Sequence, residues 1–129
     1  MMQIEFAETF GERLRALEAF ILAQDMDSAP ARIEDLREEI LRFVDLVKLH
    51  PKIGRPAGVL AASSVEGRWR LERVLQLAID AGLPELREYV LHVHLVLYAH
   101  SDSRILMLSI RHQRELGYVP EAGSPSAPI

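Results

Sequence analysis

Three groups of residues in this sequence have types and spacings that chemistry can use. His92 and His94 stand two apart in a run of Val, Leu and Tyr, and in a strand that spacing turns both imidazoles to one face, a known way of presenting two zinc ligands. The competing reading is a pair of half-buried sheet histidines. No third ligand stands at a fixed spacing from them, although His50, His100 and His112 are present, so no metal is expected. Arg111, His112 and Arg114 form the second group and follow directly on an apolar run. Sheet pairing would fix their positions while their heads reach solvent, and a histidine beside arginines suits general acid-base work on a phosphodiester, the arginine stabilising the charge that develops. Tyr118 would dock this end or complete such a site. The plain alternative is a strand end kept charged for solubility. The third group, Arg68-Trp69-Arg70-Leu71-Glu72-Arg73, mixes bases with an aromatic ring. On a helix its arginines spread around the axis, and Glu66 with Arg70 and Arg68 with Glu72 fall at ion-pair spacing. A solvated helix with Trp69 partly buried is the preferred reading, with Trp69 as a protein-contact candidate second.

The elements that position these groups can be read from periodicity. Met2 to Phe6 alternates and predicts a short first strand. Thr9 and Glu12 have capping-box spacing, and Phe6, Phe10, Leu14, Leu17 and Ile21 step by three or four residues, which predicts a helix from Glu8 to Gln24. Ser28 is a cap candidate with Pro30 in the first turn of a second helix, striped by Ile33, Leu36, Ile40, Val44 and Val47 and ending before Pro51. The short connection makes the two an antiparallel hairpin. Pro51 to Pro56, with two prolines and a glycine, predicts an irregular loop. Ser63 or Ser64 would cap a third helix ended by Gly82. Strands are expected at about Leu86 to Leu91, Val93 to Ala99 and Arg104 to Arg111, the last two joined by the turn-forming His100-Ser101-Asp102-Ser103. His92 marks either a turn or a bend in one long strand. The tail 119–129, with its prolines and small residues, is expected to be disordered.

Composition narrows the function. A chain of 129 residues is the size of one domain, and 49% hydrophobic with 26% charged residues is ordinary for a globular protein. The absence of cysteine removes disulfides, thiolate zinc sites and cysteine nucleophiles. The first residues lack a basic region followed by an apolar run, and no apolar stretch nears the roughly 18 residues of a membrane span, so a cytoplasmic protein without membrane contact is expected. The net charge of −4 is uneven: residues 1–50 carry eleven Asp or Glu against six Lys or Arg, whereas residues 86–118 carry four Arg against three acids, with four of the five histidines. With only two lysines, Lys48 and Lys52, broad nucleic-acid binding is disfavoured.

Several short stretches coincide with a known pattern. A first strand, a helix pair, the Pro-x-x-Gly-Arg-Pro loop at 51–56, Leu86-Arg87-Glu88 leading into Val96-Leu97-Tyr98, and the ending Ile110-Arg111-His112-Gln113-Arg114-Glu115-Leu116-Gly117-Tyr118 together resemble the RelE/ParE toxin family of type II toxin-antitoxin systems, often labelled plasmid stabilisation proteins. The resemblance covers nearly all of residues 1–118 except 58–82. It implies an α+β fold, an antiparallel helical hairpin packed on a small curved antiparallel sheet; the helix read within 58–82 departs from that pattern as an extra element inserted before the main strands. It also implies a cognate antitoxin that wraps the protein in a hetero-oligomer. No cofactor is implied. The target is left open: RelE-like members cut messenger RNA in the ribosomal A site with basic residues and often a tyrosine, whereas ParE-like members lack that set and poison DNA gyrase. Here His94 stands where RelE-like nucleases tend to carry arginine, and no predicted strand holds a lysine. A ParE-like, non-enzymatic gyrase inhibitor is therefore expected, with Arg55, Arg87, Arg111, His112, Arg114, Tyr118 and Trp69 as its target or partner surface. In the RelE-like alternative His94, Arg111, His112, Arg114 and Tyr118 would be catalytic. Removing 58–82 is expected to leave a folded core with altered partner choice.

Overall fold

At Ala7 the apolar period changes from two to three or four, and the chain turns from strand into helix. The computed structural model describes residues 2–57, 65–83 and 85–112, with only the backbone at 65–71. Strand β1 (Gln3–Phe6) is followed by α1 (Glu8–Gln24) and α2 (Ala29–Leu49), then by β2 (Arg55–Pro56), α3 (Val65–Asp80), β3 (Glu85–Val90), β4 (His94–His100) and β5 (Arg104–His112). Both hairpin helices have the limits expected from their stripes. Their caps differ from expectation. The residue before α1 is Ala7, which makes no side-chain cap. The Thr9 hydroxyl donates instead to the Leu108 carbonyl across the fold, so a tertiary demand has taken the side chain that the capping-box spacing offered. Ser28 stands at the cap position of α2 with Pro30 in the first turn, as expected, but its hydroxyl donates to the Asp25 carboxylate and not to the helix, while Asp25 carbonyl accepts from Ala29 N–H.

The five strands form one open sheet in the order β1-β5-β4-β3-β2. The expected all-antiparallel sheet is corrected to a mixed one, because β1 runs parallel to β5 with Ile4 beside Ile105 and Phe6 beside Met107. Short turns at 91–93 and 101–103 oblige β3, β4 and β5 to alternate in direction. About a hundred residues separate β1 from β5, so no local turn dictates their sense. The loop expected at 51–56 also contains a pairing, Arg55 with Glu88 and Pro56 with Arg87. Proline is tolerated there because β2 is an edge strand, where a missing N–H costs no ladder bond. His92 lies in the turn between β3 and β4, closed by a hydrogen bond from Leu91 N–H to His94 carbonyl, so the two strands are separate.

The sheet is covered on both faces. On one, Phe10, Leu17 and Ile21 of α1 and Leu36, Ile40, Phe43 and Val47 of α2 pack on Val96, Tyr98, Ile105, Met107 and Ile110. On the other, Val74 and Ala78 of α3 and Leu83 pack on Leu97, Ala99, Leu106 and Leu108. Burying each large side chain contributes about 1.5–3 kcal/mol, so the second cluster is a core in its own right. This changes the reading of 58–82: α3 closes a face of the sheet and does not interrupt the hairpin layer. Gly82, at φ +75°, ends this segment in the left-handed conformation expected of it, and Arg104 of β5 binds both the Ala81 carbonyl at 2.8 Å and Glu5 of β1 at 2.8 Å. The possible caps Ser63 and Ser64 and the tail 119–129 lie outside the described residues.

A bulge interrupts the β4–β5 ladder. Leu97 is opposite Ser109 and Tyr98 is opposite Met107, which leaves Leu108 as the extra residue whose carbonyl Thr9 satisfies. Beyond the bulge the alternation of faces is reversed: Met107 and Ile110 both join the hairpin-side core.

Candidate functional site

The bulge decides which residues meet at the start of β4. His94 lies opposite His112 and Leu95 opposite Arg111. Residues directly opposite share a face, so His94 and His112 stand together on the hairpin side, with ring centroids 5.4 Å apart and planes at 77°. Arg111 turns to the α3 side. Of the expected set, His94 and His112 are therefore brought together, Arg111 is on the other face, and Arg114 and Tyr118 lie outside the described residues. His94 is 8% exposed. His92 is exposed in its turn and does not share a strand face with His94, because β3 ends at Val90. Among the described residues no group of three or more metal-binding side chains forms.

Arg87 and Arg55 belong to a different place. Arg87 lies opposite Tyr98, four residues along β4 from His94, or about 13 Å, and about 10 Å across from β5. Its guanidinium donates to the Gly54 carbonyl at 2.6 Å and, through Nε, to His100 Nε2 at 3.1 Å. Arg55 donates to Glu88 at 2.7 Å, and Glu88 is a buried carboxylate at 5% exposure. Both arginines thus hold groups of the protein itself. The side chain of Trp69 is outside the described residues, as are the Glu66–Arg70 and Arg68–Glu72 pairs.

Tyr98 is the centre of this second cluster. It is fully buried, accepts from Gly54 N–H at 3.0 Å and donates to Pro51 carbonyl at 2.7 Å. Burial pushes its hydroxyl pKa above the ordinary value, against the Gly54 hydrogen bond and the Arg87 charge, which pull it down. Gly54 fits because it has no Cβ: one placed there would meet Glu88 carbonyl at 2.6 Å and the Tyr98 hydroxyl at 2.9 Å. The Pro51–Pro56 loop is therefore pinned to the sheet at Pro51 and Gly54. Beside it an open cleft of about 650 Å³ is lined by Leu49, His50, Pro51, Lys52 and Ile53 on one side and His100, Ser101 and Asp102 on the other.

No family model matches the chain, and no curated protein matches it.

Tyr98, Gly54 and Glu88 were not among the candidates from sequence, and His100 was named only as an available third ligand to a metal. Tyr98 and Gly54 lie in the Val96-Leu97-Tyr98 and Gly-Arg-Pro stretches that carry the resemblance, so a signal was present, although nothing local tells that the two stretches bond each other. Nothing in the sequence joined His100 to Arg87: it stood as a spare histidine at the first residue of a turn. No helix among the described residues is long and apolar enough to cross a membrane.

Proposed function

We propose that the chain is the toxin component of a type II toxin-antitoxin system, ParE-like in acting by binding DNA gyrase, and neutralised by a cognate antitoxin in a hetero-oligomer. The family reading is supported by the way the stretches behind the resemblance act together: 51–56, 86–88 and 96–98 form one hydrogen-bonded unit through Tyr98, Gly54 and Arg87. The observation that carries binding over cleavage is the dispersal of the cationic candidates. A nuclease site needs several donors converging on one phosphate, whereas Arg55 and Arg87 hold Glu88, Gly54 and His100 and lie far from His112. The acidic net charge of −4 also slows approach to RNA.

The second reading is a RelE-like, ribosome-dependent endoribonuclease acting on messenger RNA, and the His94–His112 pair favours it. Two imidazoles near one phosphodiester can serve as acid and base. One set of experiments separates the readings. Purified protein at micromolar concentration is expected to inhibit supercoiling by gyrase and to stabilise its cleavage complexes with DNA, while primer extension on messages from arrested cells finds no codon-positioned cuts. Unaffected supercoiling together with cuts that vanish in His112→Ala would replace the first reading with the second.

A further inference from the structure

His100 is buried, with 4% of its surface exposed, and two groups make opposite demands on the same ring nitrogen. Arg87 Nε, always protonated, is 3.1 Å from His100 Nε2 and can bond it only if that nitrogen offers a lone pair. Glu85 Oε1 is also 3.1 Å from Nε2 and can bond it only if that nitrogen carries a proton. One nitrogen cannot do both at once.

We infer that His100 is a proton-operated latch on the Pro51–Pro56 loop. With Nε2 unprotonated, it holds Arg87, and Arg87 holds the Gly54 carbonyl at 2.6 Å. When acid adds a proton at Nε2 to a ring that already carries one at Nδ1, the ring's hydrogen bond turns to Glu85 and a positive imidazolium stands against the Arg87 guanidinium, which gives up its alignment on Gly54. The direction follows from charge: acid loosens the loop and alkali fastens it. Imidazole is the side chain whose charge ordinarily changes between about pH 5 and 8, which sets the range of the test.

The groups facing His100 come from several elements. Strand β3 supplies Glu85 and Arg87, and β4 supplies Tyr98, whose ring centroid is 6.0 Å away. The turn after β4 supplies Asp102, the end of α2 supplies His50 and the loop supplies Lys52 across the cleft. On β5 the opposite residue is the apolar Ile105. Of these, Arg87 and Tyr98 bond the loop, and Arg87 is the one whose hydrogen bond to His100 Nε2 changes with the proton, so Arg87 carries the change there. The two bonds of Tyr98 to Pro51 and Gly54 do not involve His100. The loop therefore loses one of its ties and keeps the others, which changes the wall of the cleft without unfolding the protein. This inference stands apart from the toxin reading.

The test is a nuclear magnetic resonance titration of the full chain from pH 8 to pH 5.5, following the Gly54 amide, the Arg87 Nε–H and the His100 ring. All three are expected to move along one curve. In His100→Gln, whose side-chain oxygen still accepts from Arg87 but does not titrate, the Gly54 movement is expected to disappear. In Glu85→Ala, at an exposed position, the competing acceptor is gone and the movement at Arg87 is expected to fall at least by half. Gly54 and Arg87 signals that stay still while His100 titrates would overturn the inference, as would a Gly54 movement that persists in His100→Gln, which would assign it to His50. Should His100→Gln fail to fold, an undiminished Arg87 movement in Glu85→Ala overturns the inference by itself.

Discussion

One hydroxyl, that of Tyr98, joins the middle of the sheet to the loop that precedes α3. Tyr98→Phe keeps the ring and removes a donor to Pro51 carbonyl and an acceptor for Gly54 N–H. The expected loss is about 1–3 kcal/mol, since a buried backbone group is left without its partner, to be read from urea unfolding. Gly54→Ala should cost at least as much, because its new methyl meets a backbone carbonyl that cannot swing away. The raised pKa of Tyr98 adds a pH dependence whose sign is fixed. The folded protein favours the neutral phenol, so this contribution is complete below about pH 10 and is lost as the pH climbs through the folded value. Urea midpoints measured from pH 9 to 11 should fall less steeply in Tyr98→Phe than in the parent. The sequence carried the residue types of the candidate sites well, but not their company. Arg111 and His112 are adjacent and a strand turns them to opposite faces; which one joins His94 depends on the bulge at Leu108, and no local residue announces a bulge that is completed by Thr9, ninety-nine positions away.

Elements were legible where their signal was local. The stripes of α1 and α2 are properties of the segments themselves, and a Gly in left-handed conformation marks the end of the α3 segment. Pairing is different, since β2 is two residues long and its partner β3 is some thirty residues on, and the parallel sense of β1 comes from no turn. The layer that α3 covers was also invisible, because an amphipathic stripe tells that a helix packs but not on which face of a sheet. That placement has consequences. Leu83→Ala should cost about 2–5 kcal/mol, as for other buried leucines, in the same urea measurement. Removing 58–82, so that Ala57 joins Leu83, should not leave a sound core: it bares Leu97, Ala99, Leu106 and Leu108. We expect a product that aggregates on size-exclusion chromatography and melts without cooperativity by circular dichroism. A monodisperse, cooperatively folded product would show that the hairpin side suffices.

At the scale of the whole molecule, the layers are tied by side chains that cross between them. Arg73 of α3 reaches Glu12 of α1 at 3.2 Å, and Arg37 of α2 reaches Glu18 of α1 at 3.0 Å. Both pairs are exposed, and such pairs usually contribute no more than about 1 kcal/mol. Arg104 differs in kind, since it spans β1, β5 and the end of α3 from a half-buried position. Arg104→Ala should therefore destabilise by more than Arg37→Ala, a ranking that paired urea curves can check.

The pairing of β1 with β5 has a consequence in time. A ribosome makes β1 and α1 well before β5, so these elements wait for about a hundred further residues before their partner exists. Until Arg104 to His112 emerges, Phe10, Leu17 and Ile21 have no sheet to cover, and the Leu108 carbonyl that Thr9 binds has not been made. Contacts this distant along the chain also close slowly, which lengthens the interval in which the hairpin's apolar stripes are open to chaperones or to aggregation. Nascent chains arrested before residue 104 should be cut readily by protease throughout, and those released after residue 112 should resist it.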